Sequence, residues 1–359
     1  MHASSLGEFE QGRPLIEMIK ERKPTTEIVL TFFSPSGFEV KKKYDKADHV
    51  TYIPLDTPSN AKRFVQHVKP DVAILVKYEF WLNHLQACFS AGVPVVYLSA
   101  IFKEHHIYFH RARSLYLPFF RKVSHFFVQD ELSARLLDRE GITQYTEAGD
   151  TRFDRVIQVA ERSRSIEEVE QFVGEKPVFV FGSIWPSDLE RILPLIEKIR
   201  GEYKIIIAPH NIGNDEIEEV MKCVPNAARY TRFKGSDARK DILVIDNMGM
   251  LSSVYRYAKF ALVGGAFRGT LHNTIEAAVY GIPVLFGRHQ KNRKFNEAMA
   301  LIEGGGAYEF SDSEELLARW DELQQTDKYK MAATFNRDFV AKNKGATVKA
   351  YDYLIKHLE

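Results

Sequence analysis

The segment Phe260–Glu276, Phe-Ala-Leu-Val-Gly-Gly-Ala-Phe-Arg-Gly-Thr-Leu-His-Asn-Thr-Ile-Glu, carries the densest candidate chemistry in the 359-residue chain. An apolar run ends in Gly264-Gly265, a glycine-rich turn follows, and the pattern predicts a helix opening near Thr270. Free N–H groups at a helix start favour an anion, and glycine lets a phosphate approach the backbone closely. Asn273 and Glu276 are three residues apart and share one helix face, an amide and a carboxylate suited to a pair of sugar hydroxyls. The plainer alternative is a turn with two polar residues near a helix start. The spacing is not Gly-x-Gly-x-x-Gly, so a dinucleotide fingerprint is absent. Three more loops follow apolar runs. In Gly182-Ser183-Ile184-Trp185-Pro186-Ser187-Asp188, Gly182 and Ser183 offer donors to an oxyanion, while Ser187 with Glu190 reads as a helix cap. His210, in Ala208-Pro209-His210-Asn211, suits a phosphate or a base, although a lone loop histidine is more often simply polar. In Asp246–Leu251 the Gly249 and Met250 amides open a helix and offer a second, weaker anion or nucleobase contact.

The first half offers His2-Ala3-Ser4-Ser5-Leu6-Gly7-Glu8. Glu8, next to Gly7 at a helix start, is kept ionised by the helix dipole, and an ionised carboxylate can take a proton from a hydroxyl as general base. A helix-N-terminal Glu with no catalytic role is the alternative. Ser34-Pro35-Ser36-Gly37 and Lys77-Tyr78-Glu79-Phe80-Trp81 follow strands and would border the same site. His105, His106 and His110 lie among Tyr108, Phe109 and Arg111. A metal there would need a helix and a third ligand, whereas aromatics mixed with basic side chains fit a membrane surface better. Lys41-Lys42-Lys43 and Lys20-Glu21-Arg22-Lys23 add local positive charge, read by default as solvated surface and more sharply as attraction to anionic lipid.

Elements of an α/β protein must position these loops. Strands are expected at Glu27–Phe33, Val50–Pro54, Asp71–Val76, Pro94–Ser99, Ser124–Val128 and Gln144–Glu147, with helical patterns between them. Continuously apolar runs such as Val72–Val76 read as strands buried on both faces, and the βαβα alternation implies a parallel sheet. After Asp154 a charged helical stretch runs to Phe172, and Gly174-Glu175-Lys176-Pro177 breaks it. The second half repeats the pattern, with strands at Val178–Phe181, Lys204–Ala208, Ile242–Ile245, Phe260–Val263 and Val284–Phe286 and helices that include Leu271–Tyr280. We therefore expect two Rossmann-like domains facing a cleft. The N-terminal one spans 1–155, a linker 156–176, the C-terminal one 177–335, and helices fill 336–359, the last (Thr347–Leu358) packing back on the first domain. The chain opens directly on a loop-like stretch, so the first strand is expected to be missing. Lys and Arg number 49 against 48 Asp and Glu, a net charge of +1, which removes the usual electrostatic argument for nucleic acid. Two distant cysteines, Cys88 and Cys223, support neither a disulfide scaffold nor a Cys-based zinc site. No apolar run reaches the ~18–20 residues of a membrane span.

Taken in order, these stretches resemble the Kdo (3-deoxy-D-manno-octulosonic acid) transferases of lipid A assembly. The resemblance rests on His2–Glu8, Thr31–Gly37, Glu79–Asn83, Gly149–Asp154, Gly182-Ser183, Ala208-Pro209-His210, Met250-Leu251 with Tyr255, and Gly264-Gly265 through Asn273–Ala277. It implies a GT-B fold, no cofactor, and inverting, metal-independent transfer of Kdo from CMP-Kdo to a lipid A precursor at the cytoplasmic face of the bacterial inner membrane. Carried over, it places the catalytic base on Glu8 and donor contacts on Gly182, Ser183, Asn273 and Glu276. His210, Gly249, Met250 and Arg268 complete the donor side; Ser5, Gly7, Ser36, Gly37 and Glu79 form the acceptor side. Two departures stand out. Lys77 and Leu82 replace a carboxylate and a proline, and Pro209-His210-Asn211 replaces Pro-Arg-His, so His210 or Arg268 must supply the donor-phosphate cation.

Overall fold

The computed structural model describes residues Met1–Leu358, and the chain forms two compact units. One comprises Met1–Arg155 and the C-terminal segment from Asn343; the other is Val156–Lys342. The strands of the first unit are β1 (Val29–Phe32), β2 (His49–Tyr52), β3 (Ala73–Val76), β4 (Val95–Ala100), β5 (His125–Val128) and β6 (Tyr145–Glu147). They are parallel and form two pieces, β1-β2 and β3-β4-β5-β6. Between the pieces lie Met1–Ala3. The Met1 nitrogen donates to the Val29 carbonyl at 2.7 Å and Thr31 N–H to the Met1 carbonyl at 2.9 Å. On the other side His2 N–H donates to Ile74 at 2.7 Å and Val76 N–H to His2 at 3.1 Å. The strand expected to be missing is therefore represented by three residues, which leave the sheet at Ser4 and enter the helix Leu6–Arg22. Their pattern is too short to read as a strand, because their pairing is entirely non-local.

The helix Ala346–Leu354 belongs to this unit. Ala346, Ala350, Tyr351 and Leu354 pack with Phe9, Leu15 and Ile16 in one core, and Asp154 accepts from the Gly345 and Thr347 amides at 2.6 and 2.7 Å.

The second unit is built on a single seven-stranded parallel sheet. Its strands are β7 (Val178–Ile184), β8 (Lys204–Pro209), β9 (Ala228–Arg229), β10 (Ile242–Val244), β11 (Ala258–Val263), β12 (Val284–Gly287) and β13 (Ala307–Phe310), in the order β13-β12-β11-β7-β8-β10-β9. β7, β8, β10 and β12 are almost wholly buried, as is β11 from Phe260 onward, the both-faces-covered pattern of a parallel sheet. At the two edges, β9 has only two residues and β13 is a four-residue run interrupted by Glu309, so neither announces itself in sequence. Residues 156–176 are not a linker. The helix Thr151–Arg162 runs through the boundary, Glu167–Val173 buries Val169 and Phe172, and Ile166 N–H donates to the Tyr257 hydroxyl at 2.8 Å. Residues 336–342 also belong here, in the helix Thr326–Lys342, where Asn336 donates to the Ile282 and Gly306 carbonyls at 2.6 and 2.9 Å. The division consequently falls after Lys342 rather than at 335.

Candidate functional site

In the first unit the sheet delivers Ser4 and Ser5 to the start of Leu6–Arg22. Ser5 is the N-cap, and its N–H and hydroxyl both donate to Glu8 Oε2, at 2.7 and 2.9 Å. Glu8 is buried, and among the described residues its Oε1 takes no hydrogen bond. This is a capping-box arrangement that fixes the carboxylate by one oxygen. Gly7 is exposed beside it, while Gly37 is buried at the start of Pro35–Lys41. A Cβ on Gly37 would strike the Phe32 ring and come within 3.2 Å of the Leu6 nitrogen, so this position admits only glycine without displacement. Ser36 is exposed on the same turn, its hydroxyl 2.9 Å from that of Ser34, and Ser34 N–H donates to the Ser4 carbonyl at 2.7 Å. Glu79 lies close enough to feel Glu8. Burial, then the Glu8 charge, push the Glu79 carboxyl above the usual carboxylate range, with Ser4 opposing. Ser5, Gly7, Glu8, Ser36, Gly37 and Glu79 thus surround one helix start. Sequence reasoning missed the support beneath them: His2 Nε2 accepts from the Trp81 indole N–H at 3.0 Å and lies 3.1 Å from the Ser4 hydroxyl.

A cavity of about 620 Å³ also opens in this unit, between β1 and β3 around Met1, His2, Ile28, Ile74 and His84, and none of the six residues lines it. His105, His106 and His110 flank a single 3₁₀ turn, Ile107–Phe109, rather than sharing a helix face, and no group of three or more metal-ligating side chains occurs among the described residues.

In the second unit the loops after β7, β8, β10 and β11 converge. A Cβ on Gly182 would fall on the Tyr255 hydroxyl, so glycine is what lets Tyr255 seat against β7. Ser183 has φ of +55°, a left-handed conformation that non-glycine residues rarely adopt. The chain then turns into the helix Pro186–Ile199, whose N-cap is Trp185. Ser187 is not the cap: its hydroxyl is buried without a partner, and Asp188 instead accepts from Trp185 N–H at 2.9 Å. The same Asp188 oxygen accepts from Gly265 N–H at 2.9 Å, tying the β7 loop to the β11 loop. Burial pushes the Asp188 carboxyl up against the pull of those amides.

The β11 loop departs from expectation. Gly265 and Gly269, with φ of 85° and 70°, enclose a 3₁₀ turn, Ala266–Arg268, and Thr270 N–H returns to the Gly265 carbonyl at 3.1 Å. The helix begins only at Ile275 and runs to Ala278, because this recoil uses the residues expected to form its first turn. Its first amide is taken by the Asn273 side chain (3.3 Å), whose Nδ2 donates to Glu276 at 3.1 Å. The amide–carboxylate pair is present; the free helix start at Thr270 is not. The helix after Gly249 (φ 89°) is also one turn, Leu251–Val254, with Met250 as N-cap. Asp246 accepts from Thr231 and Arg229 at the base of that loop.

His210 stacks on Trp185 at 4.2 Å and on His272 at 4.4 Å, and the Arg268 guanidinium lies over the Trp185 ring at 4.2 Å. Burial and the nearby Arg268 charge lower the His210 pKa. His210 and Arg268 are thus gathered around Trp185 just beyond Gly182 and Ser183, while Tyr255, packed on Gly182, feels the Glu276 charge. Trp185, Asp188 and His272 were missed by sequence reasoning; Trp185, beside the Gly-Ser pair, was the available signal.

Residues 1–155 match the family model described as 3-deoxy-D-manno-octulosonic-acid transferase (kdotransferase). The transferase of that name from Aquifex aeolicus is 29% identical over 337 residues, 91% of this chain and 86% of its own length. That of Haemophilus influenzae is 23% identical over 375 residues, covering 100% of this chain and 87% of its own.

Over most of its length the chain is similar to Kdo transferases.

Among solved structures, the UDP-GlcNAc 2-epimerase of Neisseria meningitidis superposes with a TM-score of 0.69 at 14% identity, over 99% of this chain and 98% of its own. MurG of Acinetobacter baumannii gives 0.64 at 13%, over 99% and 98%. At such identities the likeness shows the fold, which is GT-B with two parallel-sheet units.

Proposed function

We propose that this glycosyltransferase moves Kdo from CMP-Kdo to a lipid A precursor, inverting the anomeric configuration without a metal. The observation that carries the reading is the Glu8 carboxylate, fixed through Oε2 by Ser5 within the stretch that matches the family. Its Oε1 takes the proton of an acceptor hydroxyl. The acceptor hydroxyl oxygen forms the new bond to the Kdo anomeric carbon as the bond to the CMP phosphate breaks, and CMP leaves with the electron pair. Ser5, Gly7, Ser36, Gly37 and Glu79 contact the acceptor. Gly182, Ser183, His210, Gly249, Met250, Arg268, Asn273 and Glu276 hold the donor, with Arg268 and Ser183 opposing the charge that develops on phosphate.

The enzyme works peripherally at the cytoplasmic face of the inner membrane. Ile107 and Leu115 are each 52% exposed in a segment that also carries Lys103, Arg111, Arg121 and Lys122, which suits an anionic lipid surface. No helix among the described residues is long and apolar enough to cross a membrane. The decisive assay supplies purified protein with CMP-Kdo and a tetraacylated lipid A precursor. Acceptor-dependent release of CMP is expected; no release would sink the proposal. Conversion of a UDP-sugar without acceptor would point instead to an epimerase.

A further inference from the structure

Arg268 is exposed at the tip of the Gly265–Gly269 turn, and among the described residues it makes no ion pair. Its guanidinium lies over an indole face, 4.2 Å away, and its charge also reaches His210 and the Asp188 carboxylate. A guanidinium stacked in this way keeps its N–H edge free, because stacking uses the face and hydrogen bonding uses the rim. The indole is itself held on several sides. Its backbone N–H is bound by Asp188, its ring is stacked by His210, and Nε1–H donates to His272 Nε2 at 3.0 Å. The two rings joined by that bond are within 11° of coplanar. Burial, then His210, push the His272 pKa down to about 4, so at neutral pH Nε2 has the lone pair that the indole N–H requires. Gly265 is packed against this assembly: a Cβ there would come within 2.8 Å of His272 Cδ2.

We propose that Trp185 is a positioning residue for anion binding. It presents the Arg268 guanidinium, edge outward, as the cation that receives the phosphate of a nucleotide or nucleotide sugar, and His272 sets the indole plane. This rests on the donor-site reading of the second unit. It assigns the phosphate-binding role left open by Pro209-His210-Asn211 to a stacked pair drawn from two other loops. Arg268 would touch the phosphate; Trp185 and His272 act through it.

The test is calorimetric binding of CMP, cytidine and UDP to the full chain, together with steady-state kinetics. Arg268→Gln and Trp185→Leu are each expected to raise the CMP Kd at least tenfold and leave cytidine, which has no phosphate, unchanged. Trp185→Phe keeps a ring face and should stay within about threefold of wild type. The double variant Arg268→Gln/Trp185→Leu should be no weaker than Arg268→Gln alone, since the two act as a unit. KM for the donor should rise more than kcat falls. An unchanged CMP Kd in Arg268→Gln would overturn the assignment, and full additivity in the double variant would overturn the positioning role. Phosphate-dependent loss seen with UDP while wild type ignores CMP would support the stacked pair and refute CMP-Kdo as donor. Absence of nucleotide binding in wild type would refute both.

Discussion

The two oxygens of Glu8 are employed differently: Oε2 holds the helix cap, and Oε1 faces no protein donor among the described residues. Glu8→Gln preserves an oxygen for the cap, because glutamine serves equally at the third helical position, but it removes the proton acceptor. Turnover should fall by roughly 10²–10⁴-fold, the usual range for a general base, with CMP affinity and unfolding midpoint nearly unchanged. A variant turning over normally would remove Glu8 from the base role. Glu79 gives the complementary case. Its carboxyl is raised by burial and by Glu8, so the folded state holds its proton more tightly than the unfolded chain does. Stability from this group is present below the ordinary carboxylate range and lost as pH rises through the raised value. Glu79→Gln should therefore stabilise the protein at pH 7 and lose that advantage at pH 4, as read by thermal melts at both. At this scale the sequence was informative about Glu8, Asn273 and Glu276, whose neighbours along the chain are also their neighbours in space. It was silent about Trp185 and His272, which meet across 87 residues.

Glycine placement decides which elements can close on one another. Gly182 lies in β7 where the Tyr255 hydroxyl fills the space of a side chain. Gly182→Ala should destabilise by about 1–3 kcal/mol, the range for overpacking a close-packed interior. Tyr255→Phe in the same chain should recover part of that loss, measured by urea denaturation as a coupling between the two positions. No recovery would mean that the clash is not with the hydroxyl. Element reading succeeded for β7, β8 and β11, whose apolar runs identify them locally. It failed for the helix expected at Leu271–Tyr280, because the bonds of Thr270 and His272 back to Gly265 and Gly264 compete with helix formation and win. It failed again for Met1–Ala3, β9 and β13, where pairing across the sheet supplies what local pattern does not.

At the scale of the molecule, the division into two units was legible from the repeated βαβα alternation, whereas its boundaries were not. Helices Thr151–Arg162 and Thr326–Lys342 run up to or through them without a break that composition could mark. The first unit has a further property of its own. His2 is buried, and burial, with nearby positive charge, pushes its ring pKa down to about 3. Because the folded value lies below the ordinary one near 6.5, the unfolded chain takes up the proton first, and stability falls as pH drops below about 6.5. About 2 kcal/mol should be lost between pH 6.5 and 5, at 1.36 kcal/mol per pH unit. Urea midpoints across that interval check it, and His2→Gln should flatten the slope.

The three residues that join β1-β2 to β3-β6 also make the sheet unevenly cooperative. Opening at Met1–Ala3 would remove the backbone bonds between the first two strands and β3 and leave the pairing within β3-β6 in place. Hydrogen exchange should accordingly find Leu30 and Val50 protected to one common, lower level and Val96 and Leu98 to a higher one. A substrate that clamps the Glu8 loop would slow exchange throughout the weaker group, so occupancy at Glu8 could be followed from amides that never touch it.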